Sequence, residues 1–313
     1  MLDIRRFVKG TDEPVWVAVL NAAYKEYEDW RTITVDEMLL DEERPNFDFE
    51  GRFIAELDEN SVGIVHAYVD RLRKERKGFV RYLGVIPEFR GRGVEDKLAE
   101  IAISELEKRG MKTVQAWTHY KRKDRIQLLE KLGFKLVRRF SMMEMDLTKI
   151  PCGVGENKKV MIKPLRKDIE EDMRILNRLD NECFKKHFNH RPTTLEETRH
   201  FVLSNPYFKK QEYFFAVLNG NDVGYIGVGI DEKYNTEKNV KAGMILDIGV
   251  LKTHRREGIG TKLMLHALET LKTKDMRKAM LGVDDYNPTK AIKLYKKLGF
   301  KVVKKDCTYE KTL

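Results

Sequence analysis

Residues 255–260, Arg-Arg-Glu-Gly-Ile-Gly, are where residue type and spacing first suggest chemistry. They separate a β-patterned run from an amphipathic helical one. A strand-to-helix turn leaves several backbone N–H groups without helical acceptors. Glycines there allow positive φ and let a ligand approach the backbone closely. With the helix dipole behind it, such a turn is an anion site suited to a pyrophosphate, and Arg255 and Arg256 add charge. It is not a P-loop, because no GxxxxGK[ST] exists and Lys262 follows Thr261; nor is it GxGxxG. Just before the turn, Asp247 is the only carboxylate in the strand-like run 242–251. Cys183, His187 and His190 have ligand-like spacing. They lack an obvious fourth donor and are flanked by Phe184 and Phe188, so no metal is expected. His254 and His266 read as surface and helix residues rather than catalysts.

The elements that must position these residues occur twice. Residues 89–117 and 128–139 repeat as 254–283 and 294–305, offset by 165 at the basic turns and 166 at the two Leu-Gly-Phe triplets. The period is one domain length, which makes the chain a duplicated domain: 1–150, a connector at 151–159 rich in Gly and polar residues, and 160–313. In the second half, 160–164 reads as a strand, and Asp168 is expected to cap a helix running to about Phe184. A helix near 194–203, a hairpin over 213–218 and 223–231, and a strand over 242–251 follow. Then come a helix with Leu263, Leu265, Leu268 and Leu271 at helical spacing, a strand over 279–283, a helix over 289–298 and a strand over 300–304. In the first half the hairpin is 52–57 and 62–70 and the next strand 79–86. The class is α/β (α+β), with a mixed sheet in each half.

With 313 residues, 42% hydrophobic and 35% charged, the chain can form two cores, which excludes a disordered tail or a disulfide scaffold. No run of about 18 apolar residues exists, so no membrane span is expected. The N-terminal residues lack the apolar core of a signal peptide, and the only cysteines are Cys152, Cys183 and Cys307. A reduced, cytoplasmic protein is expected. Residues 1–150 hold 28 of the 60 Lys+Arg and 28 of the 50 Asp+Glu, so the whole excess of +10 lies in the second half. That excess favours an anionic partner such as a phosphorylated cofactor. The basic runs 71–77 and 121–125 lack interleaved aromatics, which argues against nucleic acid. Trp16, Trp30 and Trp117 read as core or domain-interface residues.

The order and spacing of Ile248-Gly249-Val250, the turn 255–260, Asn287, Ala291, Leu294-Tyr295 and Leu298-Gly299-Phe300 resemble the GNAT superfamily of acyl-CoA-dependent N-acyltransferases. The first half resembles it in Leu83-Gly84-Val85, Arg90-Gly91-Arg92-Gly93 and Leu132-Gly133-Phe134. The resemblance implies two tandem domains, each a twisted mixed sheet whose fourth and fifth strands splay apart around acetyl-CoA, the acyl donor. It implies that backbone groups of Ile248, Gly249 and Val250 hold the pantetheine arm. The N–H groups of Arg255, Arg256, Glu257, Gly258, Ile259, Gly260 and Thr261 would hold the pyrophosphate, and Asn287 would contact the thiol end. Tyr295 matches the tyrosine that protonates the departing thiolate. For the base, strand alternation places Asp247 with Gly249 and away from Leu246 and Ile248. Asp231, Asp284 and Asp285 are the alternatives.

The first half departs from this pattern. Glu95 stands where Gly260 stands, Leu129 where Tyr295 stands, and Lys121 opposite Asn287. A degenerate first domain beside a catalytic second one is expected. The activity implied is acetyl transfer from acetyl-CoA to the primary amine of a small molecule or protein, by direct attack, with no metal. The alternatives are a non-catalytic acyl-CoA-binding or scaffold protein and an RNA-associated acetyltransferase. The acceptor pocket is expected from residues 184–192, 204–210 and 231–241.

Overall fold

The computed structural model describes residues 1–152 and 157–313, so residues 153–156 of the expected connector lie outside the described residues. In chain order the first half runs β1 (Leu2–Arg6), α1 (Glu13–Tyr24), α2 (Val35–Glu42), β2 (Arg52–Leu57), β3 (Asn60–Val69), β4 (Lys77–Val85), α3 (Val94–Lys108), β5 (Thr113–His119), α4 (Lys123–Lys131) and β6 (Lys135–Asp146). The second runs β7 (Met161–Pro164), α5 (Glu170–Phe184), α6 (Leu195–Leu203), β8 (Glu212–Leu218), β9 (Asn221–Gly229), α7 (Glu232–Lys238), β10 (Ala242–Val250), α8 (Ile259–Thr273), β11 (Lys278–Asp284), α9 (Ala291–Leu298) and β12 (Lys301–Thr312).

The chain forms two compact units, and their boundaries differ from a cut at the connector. One unit is Met1–Arg139 with Asp306–Leu313; the other is Phe140–Lys305. In the first, β12 pairs antiparallel with β5 from Asp306↔His119 to Thr312↔Thr113. In the second, β6 pairs antiparallel with β11 from Phe140↔Asp284 to Asp146↔Lys278. Each unit therefore takes its last strand from the far end of the other half. The buried residues of these strands explain why. Cys307 and Tyr309 belong to the core of the first unit, and Met143 and Met145 to that of the second.

Within each unit the sheet parts where the resemblance implies. In the second, β10 and β11 run parallel and pair only over Ala242↔Lys278, Gly243↔Ala279 and Met244↔Met280. In the first, β4 and β5 pair from Lys77↔Thr113 to Val80↔Ala116. The parting in β10 coincides with a bulge, since the register to β9 shifts between Ile245↔Val228 and Asp247↔Gly227. An extra residue on one strand bends it and increases its twist.

Capping chemistry fixes the start of the second, short helix in each unit. Thr194 and Glu197 form a reciprocal capping box at the start of α6, as Thr34 and Glu37 do for α2. Asp168 does not cap α5; the cap position is Ile169, with no side-chain bond. Asp172 of α5 instead accepts from the Arg166 backbone at 2.9 Å and from its guanidinium. Residues 219 and 220 make the hairpin turn with φ of 51° and 77°, the left-handed pair that Asn-Gly favours. Trp117 is half exposed on β5 rather than in the core, whereas Trp16 is buried.

Candidate active site

The bulge sets which residues of β10 face which layer. Ile245, Ile248 and Val250 pack in the core under α8, while Leu246 packs with α5. A Cβ on Gly249 would lie 2.6 Å from the Tyr225 ring and 3.0 Å from Cys183 of α5. Leu246 and Gly249 thus share the α5 face, and Asp247 is half-buried beside them, where its charge acts on Tyr213 and Tyr225. Alternation correctly sets Asp247 apart from Ile248. It fails for Leu246, because the bulge breaks the two-residue period.

Beyond Met244 the edge of β10 that faced β11 has no strand partner among the described residues, so Ile248, Gly249 and Val250 border the opening. The turn that follows has the form of an anion nest. Arg256 has φ of 70° and Gly258 φ of 77°, and α8 starts at Ile259. The first bond into the helix is Lys262 N–H to Gly258 C=O, 3.0 Å. The N–H groups of Ile259, Gly260 and Thr261 therefore have no acceptor within the helix. A Cβ on Gly260 would touch only Leu294 at 3.5 Å and Val250 at 3.9 Å, so glycine here leaves room above the helix start. The donors and the room fit a pyrophosphate.

Arg255 works differently from its sequence expectation. Its guanidinium turns back to donate to the Val250 carbonyl at 2.9 Å and the Cys183 carbonyl at 3.2 Å. It pins the turn to β10 and to the end of α5. Arg90 does the same in the first unit, to Val85 and Ala23. Arg256 and Glu257 are exposed. Asn287 uses its Oδ1 to accept from the Thr289 N–H and hydroxyl, at 2.8 and 2.6 Å, which fixes the turn before α9.

Asp247 belongs to a cluster of acids and phenols. Burial, with the Asp180 carboxylate second, raises its pKa to about 8. Asp180, on α5, accepts from the Tyr225 hydroxyl at 2.6 Å, and desolvation raises its pKa too. Tyr295 is buried against Phe300 in the α8 core, and burial together with the charge of Asp247 pushes it to about 12. The rival acids have other work. Asp231 caps α7, Asp284 accepts from the Tyr286 N–H, and Asp285 binds Ser141 and Lys305. Cys183 is buried and its thiol is pushed up to about 12, which makes it a poor nucleophile. α5 ends at Phe184, so His187 and His190 lie beyond the helix that carries Cys183.

The first unit keeps the fold and has lost this set. The α3 start matches the nest in backbone, with φ of 72° at Gly91 and 79° at Gly93, but its first turn carries Glu95 and Asp96. Leu83, the counterpart of Ile248, has its carbonyl engaged by the Tyr24 hydroxyl at 3.3 Å and by the Arg125 guanidinium. Arg125 therefore sits at the edge that the pantetheine arm would use; Ala291 is the matching residue in the second unit. The repeat offset places Tyr82 at Asp247 and Leu129 at Tyr295. Asn21 and Asn181 hold equivalent loop N–H groups, which aligns Leu20 with Asp180. The hairpin registers align Arg52 with Tyr213 and Ile64 with Tyr225. The Arg125 and Tyr82 replacements were not among the sequence departures noted above, although the 165–166 offset exposes both.

Comparison with known proteins gives the family and the fold. The Acetyltransferase (GNAT) family profile matches residues 16–134 and 173–300. A mycothiol acetyltransferase of Streptomyces coelicolor is 31% identical over 137 residues, 42% of this chain and 42% of that protein, so under half of that relative's length is matched. A mycothiol acetyltransferase of Actinosynnema mirum is 25% identical over 268 residues, 85% of each chain. Among solved structures, a tandem GNAT protein from the clavulanic acid biosynthesis pathway superposes with a TM-score of 0.76 at 15% identity, covering 100% of this chain and 98% of that one. This last likeness concerns the fold.

Proposed function

From the premise that the chain belongs to the Acetyltransferase (GNAT) family, we propose that it transfers acetyl from acetyl-CoA to a primary amine, using a single site in its second unit. The observation that carries this reading is the joint presence there of the glycine at the nest, an unobstructed β10 edge and the acid–phenol cluster, where the first unit has Glu95, Arg125 on the Leu83 carbonyl and no such cluster.

In this reading the nest 255–261 holds the pyrophosphate by its N–H groups, and Ile248–Val250 hold the pantetheine arm by strand-like bonds. A backbone N–H of that edge polarises the thioester carbonyl as charge develops on oxygen. An alkyl ammonium near pKa 10.4 must lose a proton before it attacks. Asp247, with its pKa raised to about 8, is a stronger base than an ordinary carboxylate and takes that proton. The C–N bond forms, the tetrahedral intermediate collapses and the C–S bond breaks. Tyr295 protonates the sulfur and regains a proton from Asp247 through solvent, and the second proton from nitrogen leaves to solvent. Direct attack is favoured over an acyl-cysteine route, since the Cys183 thiol is held protonated.

Replacing Tyr295 by Phe tests the acid. A thiolate with pKa about 8.5 is already a fair leaving group. The expected loss in kcat is therefore modest, roughly tenfold, below the usual range of acid–base effects. The acetyl-CoA Kd is expected to hold. An unchanged kcat across pH 6–9 removes Tyr295 from the mechanism.

A further inference from the structure

On the α5 side of the second unit, two acids and two phenols from separate elements converge. Asp180 projects from α5 and Asp247 from the β10 bulge, and each is close enough for its charge to act on the other's surroundings. Among the described residues neither carboxylate has a lysine or arginine partner. Asp180 has the Tyr225 hydroxyl at 2.6 Å and, more weakly, the His190 imidazole. A desolvated pair of acids offsets its charge either by holding protons, as the raised pKa values show, or by taking up a cation that lets both ionise.

A second observation points to the same place. Tyr213 is 3% exposed, and its hydroxyl, on which the charges of Asp247 and Asp180 act, is buried with no hydrogen-bond partner among the described residues. Its ring packs against Gly227, where a Cβ would come within 2.4 Å, and Gly227 is the register partner of Asp247. The Tyr225 ring packs against Gly249, where a Cβ would come within 2.6 Å. The sheet face is thus thinned by two glycines so that two phenol rings can line the space around the acids. In the first unit the matching positions are Leu20, Arg52, Ile64 and Tyr82, so the acids and both phenol neighbours are absent together.

We infer that the acceptor binds as its ammonium ion, seated between Asp180 and Asp247 with the Tyr213 hydroxyl beside it, and that Asp180 is the residue that selects a cationic amine. This rests on the acetyl-transfer reading above. The division of labour is that Asp180, anchored by Tyr225, keeps its charge on the ammonium, while Asp247 takes the proton. The step balances as R–NH3+ plus acetyl-thioester giving R–NH–acetyl, free thiol and one proton to solvent.

The test uses the full chain with acetyl-CoA present, benzylamine as the cationic probe and benzyl alcohol as its neutral twin. The wild type is expected to bind and acetylate benzylamine, and to bind benzyl alcohol at least tenfold more weakly. Asp180→Asn keeps an acceptor for the Tyr225 hydroxyl, so the fold is retained, which its melting temperature checks. In this variant KM for benzylamine is expected to rise at least tenfold with kcat within about threefold, and Asp180→Glu is expected to recover part of the loss. Equal binding of the two probes, binding of neither, or an unchanged KM in Asp180→Asn overturns the inference. Absence of acetyl-CoA binding to the wild type overturns the acetyl-transfer reading instead, so the two failures are distinct.

Discussion

Replacing Gly260 by Glu is expected to abolish acetyl-CoA binding while leaving the protein folded. The substitution places at the second unit's nest the residue type that Glu95 supplies in the first. A carboxylate about 5 Å from a phosphate charge, at an effective dielectric near 20, raises the free energy of the complex by ~3 kcal/mol per unit charge. That corresponds to a roughly hundredfold or greater loss of affinity. The Cβ itself has room, since its nearest neighbours would be at 3.5 and 3.9 Å, and the backbone is helical. Gly260→Ala is therefore expected to bind far better than Gly260→Glu, which separates charge from bulk. An acidic residue at the first turn also suits the helix dipole, so the melting temperature is expected to hold or rise. Titration calorimetry with acetyl-CoA on the three proteins checks all of this.

Replacing Asp247 by Asn is expected to lower kcat by about 10²–10⁴-fold, the range for loss of a positioned general base. The Kd for acetyl-CoA should be unaffected, because the side chain faces α5 rather than the nest. The pH dependence is as informative as the size. The base is active when ionised, and its pKa is raised to about 8. In the wild type kcat/KM is therefore expected to climb through that region, and in Asp247→Asn this limb is expected to vanish. Stability moves in the opposite sense. Between the ordinary carboxylate range and about pH 8 the folded chain holds a proton here that the unfolded chain has released. This group's contribution to stability thus falls as pH rises through that window. Asp247→Asn is expected to melt above the wild type at pH 9, with the difference shrinking towards pH 4. A variant with unchanged kcat and no altered pH profile would return the base role to Asp231, Asp284 or Asp285.

Much of this architecture was legible in the residues. The basic glycine turn, Asn287, Tyr295 and the Leu-Gly-Phe triplets each sit at the element expected of them, because the repeat lets every motif be read twice. The bulge at Leu246 was not legible. It follows from how β10 bends away from β11, and no local pattern marks it. The exchange of β6 and β12 was hidden for a similar reason. Sequence adjacency assigns each last strand to its own half, whereas burial of Met143 and Met145 in one core, and of Cys307 and Tyr309 in the other, decides the pairing. Asp180 and Tyr213 went unnoticed among amphipathic runs. Their significance comes from Gly227 and Gly249, which bring distant elements close together. The first unit's differences were easier to see inside the glycine turn, as at Glu95, than at a strand edge reached from another element, as at Arg125.

The most direct test of the central claim is calorimetric titration of acetyl-CoA into the intact chain, read for stoichiometry. One site per chain is expected, with the second unit's nest open and the first blocked by Glu95, Asp96 and Arg125. Two sites per chain, or one site that survives Gly260→Glu, would contradict it.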